Sequence, residues 1–256
     1  MTTTAALPGR SVTLDRRREA LVFALVAVSF PVVAALDPGS PEVAVQRAEA
    51  IAQFQSTVGL EVSTFADQLF GSGPGRVMAN ALYSAAHVPG IVAVYAWLAA
   101  RRPGDYLQMR RIFVVSHVLT IACYVVLPTA PPRLVPSLGG VDPAAAGSAW
   151  HTIQYEYAAF PSGHVVFATI VGVALLRSGG AVRGTIGVAY PVTVIAVTLA
   201  TDNHFVADAI GGLLIVAIAV EVSRGWARLG AARPTAVRVG RTAGPHRLIG
   251  NDSRHR

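Results

Sequence analysis

Residues 16–36 read RRREALVFALVAVSFPVVAAL, which is three arginines followed by eighteen residues with a single charge. An apolar run of about 20 residues is what an α-helix needs to cross the hydrocarbon core of a bilayer. The basic flank also fits a secretory signal peptide, but five more apolar runs follow, and this favours a retained helix. The sequence therefore predicts an all-α fold, a polytopic bundle of membrane helices.

The composition of the whole chain supports a membrane protein. Of its 256 residues, 53% are hydrophobic and 14% are charged, whereas about 25% are charged in an ordinary soluble domain. These values exclude a disordered chain and argue against a soluble enzyme, and the single Cys123 excludes a disulfide scaffold. The net charge of +7 does not indicate a nucleic-acid partner, because the arginines form no stripe interleaved with aromatic residues.

The apolar runs and the arginines together predict a topology. We predict six transmembrane helices, at 19–36, 77–99, 112–128, 162–176, 185–201 and 205–222. With the N-terminus inside the cell, 18 of the 21 basic residues fall on the cytoplasmic side, and only Arg47, Arg76 and Arg133 fall outside. This distribution follows the positive-inside rule, so both termini are expected in the cytoplasm.

Three segments lie outside these six helices. Residues 1–18 are predicted to be a cytoplasmic segment before a six-span domain at 19–224, and 225–256 to be a basic, disordered cytoplasmic tail attracted to anionic lipid headgroups. Residues 41–70 carry apolar side chains at intervals of three or four, which predicts an outer amphipathic helix that begins at Ser40. We expect this helix to rest on the membrane surface or to cap the bundle.

Ionisable residues at the outer ends of the spans are the candidates for chemistry, because such groups are costly in a membrane. His204 and Asp208 are four residues apart, so on a helix they would share a face about 6 Å apart along the axis. Asp208 could then accept the Nδ1 proton of His204 and leave Nε2 as a nucleophile or a ligand. A structural hydrogen bond is the alternative reading of this pair.

Two further motifs fall on the same predicted face. Pro161-Ser162-Gly163-His164 opens a span, where free backbone N–H groups favour an anion and His164 could protonate a leaving oxygen. Arg133, in Pro131-Pro132-Arg133, has the planar fork that suits phosphate oxygens. Alone, either motif also fits an ordinary turn or helix boundary. Together, the three motifs predict an anion pocket with two histidines and one arginine.

These motifs resemble those of the type 2 phosphatidic acid phosphatase superfamily, over roughly residues 76–216. Residues 161–164 match its Pro-Ser-Gly-His in full, His204 and Asp208 match its last two positions, and Arg133 matches its first arginine. The lysine of the family would fall at Val126, and its Ser-Arg pair would fall at residues 197–198, so two of its cations are missing.

These departures resemble a divergent branch of the superfamily, the inositol phosphorylceramide synthase-like (inositolphosphotransferase-like) membrane proteins. Members of that branch carry Pro-Pro-Arg after a span and Asn-His in the late motif, which is similar to Asn203-His204 here. They also carry an Asn-x-x-Tyr-x-x-x-His-x-Pro helix, to which Asn80, Tyr83, His87 and Pro89 are similar.

The resemblance implies an activity and a role for each residue. It implies that His204 attacks phosphorus and forms a phospho-histidine, that Asp208 orients it, and that His164 protonates the leaving alcohol. Arg133 and the N–H groups near Ser162 and Gly163 would hold the phosphate oxygens, with Tyr83, His87 and Asn203 as further candidate pocket residues. The implied substrate is a lipid-linked phosphate at the outer face, with water or an alcohol as acceptor and with neither cofactor nor metal.

Two other classes of protein remain as alternatives. In a metal-binding membrane protein, His164, His204 and Asp208 would be ligands, with His151 as a fourth, and activity would be sensitive to a chelator. In a transporter, the polar residues would lie near the bilayer midplane on paired broken helices. The sequence leaves the lipid, the acceptor and the oligomeric state open.

Overall fold

Helices dominate the described part of the chain. The computed structural model describes residues 4–7, 10–36, 40–60, 74–83, 87–139 and 155–232. A short antiparallel hairpin of β1 (Thr4–Leu7) and β2 (Arg10–Thr13) comes first. The helices that follow are α1 (Arg16–Leu36), α2 (Pro41–Thr57), α3 (Pro74–Ala81), α4 (His87–Arg101), α5 (Pro103–Val126), α6 (Gly163–Arg177), α7 (Ala181–Ala200) and α8 (Val206–Ala232).

Four of these helices are long and apolar enough to cross a membrane. They are residues Arg17–Leu36, Pro103–Val126, Ala181–Ala200 and Val206–Leu229, in α1, α5, α7 and α8. Two shorter apolar helices, Val88–Arg101 and Gly163–Arg177, lie where the second and fourth spans were predicted. The predicted all-helical fold is thus confirmed, and four of the described helices have the length that crossing a bilayer requires.

The predicted second span, 77–99, is described in two helical parts. The chain forms α3, which is followed by two π-helical residues at 82–83, and α4 begins at His87, with residues 84–86 outside the described part. Pro89 stands in the first turn of α4, where a proline is well tolerated because the N–H that it lacks has no partner within the helix.

The predicted tail begins too early. Residues 225–232 continue α8, and only 233–256 of the predicted tail lies outside the described residues. Arg224 pairs with Glu221 across one turn of this helix, so these charges do not end it. The predicted outer helix is present as α2, with the Ser40 hydroxyl accepting the Val43 N–H at 3.3 Å. Residues 61–70 of that prediction lie outside the described part.

α5 is the central helix of the bundle and packs against α1, α4, α6 and α8. Leu98, Met109 and Ile112 are buried in the main core. Glu19 of α1 accepts hydrogen bonds from Arg110 and from the Tyr106 hydroxyl of α5. The outward side chains of α1 are apolar and exposed, as lipid-facing side chains are: Leu21, Leu25, Val28, Val32 and Leu36.

α6 and α7 pack through their backbones. A Cβ atom added to Gly172 would lie 2.4 Å from the Gly187 carbonyl oxygen, and one added to Gly187 would lie 2.9 Å from the Gly172 carbonyl oxygen. Small residues that allow backbones to touch are typical of helix contacts in membranes. This contact fixes the distance between α6 and α7.

The bundle has two chemically different ends. At the motif end, α5 and α7 end while α6 and α8 begin, and α2 packs there through Ala44 and Ala48. At the arginine end, Arg177 of α6 donates to Gln108 of α5 at 2.7 Å, and Arg110 pairs with Glu19. The three predicted motifs all lie at the motif end.

Candidate active site

Three connecting segments meet at the motif end: residues 127–139, 155–162 and 201–205. The Thr129 N–H donates to the Tyr157 carbonyl at 2.8 Å, and the Ala159 N–H donates to the Thr129 carbonyl at 3.1 Å. The Arg133 N–H donates to the Asp202 carbonyl at 3.0 Å. These backbone hydrogen bonds bring the three motifs together.

His204 is held through its Nδ1 atom. Nδ1 lies 2.9 Å from the Ala159 carbonyl oxygen and 3.3 Å from Asp208 Oδ2. Because both neighbours are acceptors, Nδ1 carries the ring hydrogen, and Nε2 of the neutral ring carries the lone pair. The four-residue spacing predicted this contact, although His204 precedes α8 and does not lie on it.

Asp208 is fully buried on the first turn of α8. Its Oδ2 also accepts the Phe205 N–H at 2.8 Å, so the carboxylate lies at the helix N-terminus, where negative charge is favoured. Its other oxygen, Oδ1, has no hydrogen-bond partner among the described residues. One oxygen therefore sets the orientation of the carboxylate.

His164 lies on the first turn of α6 and stacks on Tyr83. The ring centroids of His164 and Tyr83 are 4.0 Å apart, with an angle of 21° between the planes. The centroid of the His204 ring is 6.1 Å from that of His164 and 6.5 Å from that of Tyr83. The two histidines are therefore close enough to act on one tetrahedral group.

The starts of α6 and α8 touch through their backbones. The Ser162 N–H donates to the Asp208 carbonyl at 3.0 Å, and the Ser162 hydroxyl accepts the Val165 N–H at 3.4 Å as the cap of α6. A Cβ atom added to Gly212 would lie 2.9 Å from the Ser162 carbonyl oxygen. The Ser162 N–H, which was predicted to bind an anion, is thus already paired.

Arg133 is oriented by the loop before α8. Its Nε donates to Asn203 Oδ1 at 2.8 Å, and Asn203 Nδ2 donates to the Thr201 hydroxyl at 2.8 Å. Arg133 also lies near Tyr83, close enough for its charge to act on the phenol.

This chain has no cation at the two positions where the family has its lysine and its second arginine. The Val126 side chain is 67% exposed at the end of α5. Thr198 is fully buried in α7, and its hydroxyl donates to the Ile195 carbonyl at 2.9 Å. Its own carbonyl accepts the Asn203 N–H at 3.2 Å. Thr198 thus supports the loop that orients Arg133.

Sequence reasoning missed Tyr124, which lies in the site. Its hydroxyl lies against the first residue of α6, since a Cβ atom added to Gly163 would lie 2.8 Å from the Tyr124 oxygen. Only 2% of Tyr124 is exposed. One signal was available, because Tyr124 lies two residues before Val126, the position at which the family has its lysine.

Sequence reasoning also missed Gln55 of α2, which is 6% exposed. Its Oε1 accepts the Ala207 N–H at 2.9 Å and so caps α8. The Ala44 carbonyl of α2 accepts the Ala130 N–H at 3.1 Å, and Arg47 donates to the Pro128 carbonyl at 3.1 Å. α2 therefore caps the bundle and joins the loop of Arg133 to the loop of His204.

The structure does not describe the side chains of two predicted residues. The side chain of His87 and the whole of His151 lie outside the described part, although the backbone of His87 begins α4. Among the described residues, no three His, Cys, Asp or Glu side chains are grouped so that they could hold a metal ion.

Comparison with known proteins gives a family for this arrangement. Residues 49–222, well over half of the chain, match the PAP2 superfamily. No curated protein and no solved structure matches the chain significantly. The matched residues include His164, His204, Asp208 and Arg133, which the structure brings to one end of the bundle. The chain therefore belongs to the PAP2 superfamily.

Proposed function

We propose that this chain is an integral membrane phosphatase or phosphotransferase that acts on a lipid-linked phosphate ester or pyrophosphate. PAP2 superfamily membership supports phosphatase-type chemistry, and four helices of spanning length support a membrane location. The observation that carries the proposal is the environment of His204. Two acceptors at Nδ1 leave the Nε2 lone pair available beside His164.

The proposed reaction passes through a phospho-histidine. Nε2 of His204 attacks phosphorus while the bond from phosphorus to the leaving oxygen breaks, and His164 gives that oxygen a proton. The His204 ring becomes positively charged as the P–N bond forms, and Asp208 stabilises that charge. Water or an alcohol, deprotonated by His164, then attacks phosphorus, and the P–N bond breaks.

Arg133 and the start of α6 would hold the phosphate oxygens. A guanidinium fork fits two oxygens of a phosphoryl group, and Asn203 holds Arg133 in position for this role. The N-terminus of α6 adds a partial positive charge beside His164. Phosphoryl transfer depends mainly on positioning and charge stabilisation, so this scheme uses no metal ion.

The test of the proposal is phosphate release from a panel of lipid phosphates and prenyl pyrophosphates. Purified protein in detergent is assayed with EDTA present, with His204→Ala beside the wild type. His117→Gln is the matched control, because His117 is buried away from the site and bonds Ser29. We expect release by the wild type and the control but not by His204→Ala. Release that survives His204→Ala would remove the nucleophile from the scheme.

The choice between hydrolysis and transfer needs its own experiment. The Pro-Pro-Arg and Asn-His motifs resemble the inositol phosphorylceramide synthase-like branch, and this favours transfer to an alcohol. Parallel reactions with and without added diacylglycerol, ceramide or inositol measure free phosphate and the new phosphoester. A phosphoester formed at the expense of free phosphate supports transfer, whereas free phosphate alone supports a phosphatase.

We further propose that the motif end faces the extracytoplasmic side, because the opposite end carries Arg101, Arg110 and Arg177. Cysteine labelling tests this assignment in a Cys123→Ser background. Ser137→Cys lies at the motif end and Val182→Cys at the arginine end, both at exposed positions. An impermeant maleimide added to intact cells should label the first variant only. Labelling of the second alone would reverse the topology.

A further inference from the structure

α2 has two apolar faces, and only one of them packs on the bundle. The packed face holds Ala44 and Ala48, which are buried against the connecting segments at the motif end. The other face, which we call the outer stripe, consists of Val43, Ala50 and Phe54, and all three are exposed. At 3.6 residues per turn, these three positions fall within about 40° of one another around the helix. Phe54 is the largest of them and is 63% exposed.

A third face of α2 is polar and exposed. Glu42, Gln46, Glu49 and Gln53 follow one another at intervals of three or four, so they form a stripe about 60° wide. A helix that caps a bundle in water needs one apolar face only. A helix at a membrane surface needs a polar face for water and an apolar face for lipid, in addition to any face that packs on protein. The exposed residues of α2 are divided in this second way.

Two side-chain contacts show in which direction each exposed face points. Arg47, on the same side of α2 as the outer stripe, donates to the Pro128 carbonyl at 3.1 Å, and Pro128 closely follows the end of α5. Glu49 of the polar face accepts from the Ser137 hydroxyl at 2.7 Å, farther along the same connecting segment. The outer stripe therefore lies on the side of the spanning helices, and the polar face lies on the side of the loop.

The outer stripe lies beside the lipid-facing end of α5. Val125 and Val126 of the last turn and Leu127 after it are all exposed, and they directly precede the Pro128 carbonyl that binds Arg47. An exposed apolar surface that continues from a spanning helix onto a neighbouring helix is typical of a membrane contact. What lies against the end of α5 in the bilayer therefore lies against the outer stripe as well.

We propose that the outer stripe of α2 binds phospholipid, at the boundary between the headgroups and the acyl chains. Both charged residues of the polar face, Glu42 and Glu49, are acidic, so apolar burial and not headgroup charge holds the helix there. The main chain of α2 accepts the Ala130 N–H, and Gln55 accepts the Ala207 N–H. The lipid contact of α2 thus sets the level of the candidate site relative to the membrane surface, whatever reaction the site performs.

The experiment compares two neighbouring positions that differ in face only. Phe54→Cys lies on the outer stripe and Gln53→Cys on the polar face, and both positions are exposed. Each variant is made in a Cys123→Ser background, so that the full chain carries one spin label. In phosphatidylcholine vesicles, power-saturation EPR measures collisions of the label with oxygen, which concentrates in lipid, and with a water-soluble nickel chelate. We expect oxygen collisions to dominate at position 54 and nickel collisions at position 53.

A second pair of labels protects the test against a local change of structure. Val43→Cys and Gln46→Cys should repeat the difference about three turns earlier on the same helix. Nickel collisions that dominate at positions 43 and 54 would place the outer stripe in water. Labels at 43 and 54 that collide with neither reagent would show that another protein segment covers it. Either result would overturn the proposal, and neither depends on the phosphate-release assay with His204→Ala.

Discussion

Replacing Asp208 by asparagine should reduce the rate only moderately. The side-chain oxygen at the Oδ2 position accepts two hydrogens, from Phe205 N–H and from His204 Nδ1, so the amide of Asp208→Asn must place its oxygen there. The Ala159 carbonyl, at 2.9 Å, is a second acceptor for the same Nδ1 hydrogen. The variant therefore keeps the ring hydrogen on Nδ1 and the lone pair on Nε2.

The size of the loss follows from the charge alone. A hydrogen bond to a charged group contributes about 1.5–3 kcal/mol, and a neutral one about 0.5–1.5 kcal/mol. The difference of about 1–2 kcal/mol corresponds to a rate loss of about 5- to 30-fold. An amide that reverses the tautomer of a catalytic histidine costs about 10⁴-fold instead.

The assay is the single-turnover formation of phosphorylated protein from whichever lipid phosphate the wild type cleaves. Nitrogen-15 NMR of labelled histidine reports the tautomer directly in the same Asp208→Asn sample. Because the amide NH₂ would lie at the unpartnered Oδ1 position, the rate is normalised to the folded fraction. A loss above 10³-fold, or a hydrogen found on Nε2, would refute the role of the Ala159 carbonyl.

Three further predictions concern the surroundings of the site. Gln55→Leu should lower the free energy of unfolding by about 1 kcal/mol and reduce activity, because α8 loses its cap. The control is Gln53→Leu, at an exposed position on the same helix. Equal melting temperatures for the two variants would contradict the role of the cap. Gly172→Ala should lower the melting temperature, since the added Cβ atom would lie 2.4 Å from a carbonyl oxygen. Gly184→Ala should be tolerated, because no atom lies within 4 Å of its added Cβ atom. Equal melting temperatures for the two variants would argue against the α6–α7 contact. Asn203→Ala should raise KM more than it lowers kcat, because it releases Arg133, which we propose holds the phosphate. An unchanged KM in a steady-state analysis would count against this role.

Hydropathy predicts the membrane helices well where apolar residues continue, and less well where helices begin and end. α1 ends at Leu36 as predicted, and it begins three residues before the predicted start because it includes Arg16–Arg18. The predicted 77–99 is covered by α3 and α4, with residues 84–86 between them outside the described part. α8 extends past its predicted end because charged side chains near a membrane helix end can reach the interface.

Some residues of the candidate site could also be predicted from the sequence, and others could not. His204, Asp208, His164 and Arg133 were predictable, because their residue types and spacing carry chemistry that a sequence displays. Gln55 was not, since it contacts Ala207 from 152 residues away and no local pattern distinguishes it from other glutamines. Contacts of this kind exist only after the chain has folded, so they can be found only in the structure.

The hydrogen bond from the Ser162 N–H to the Asp208 carbonyl has a consequence for which substitutions such a protein can accept during evolution. It joins main chain to main chain, and it links the turn that carries His164 to the turn that carries His204 without using any side chain. Substitutions of side chains in the pocket should therefore leave the distance between the two histidines unchanged. Side chains that line the pocket, such as Tyr83, can then be replaced while the arrangement of His164 and His204 stays the same.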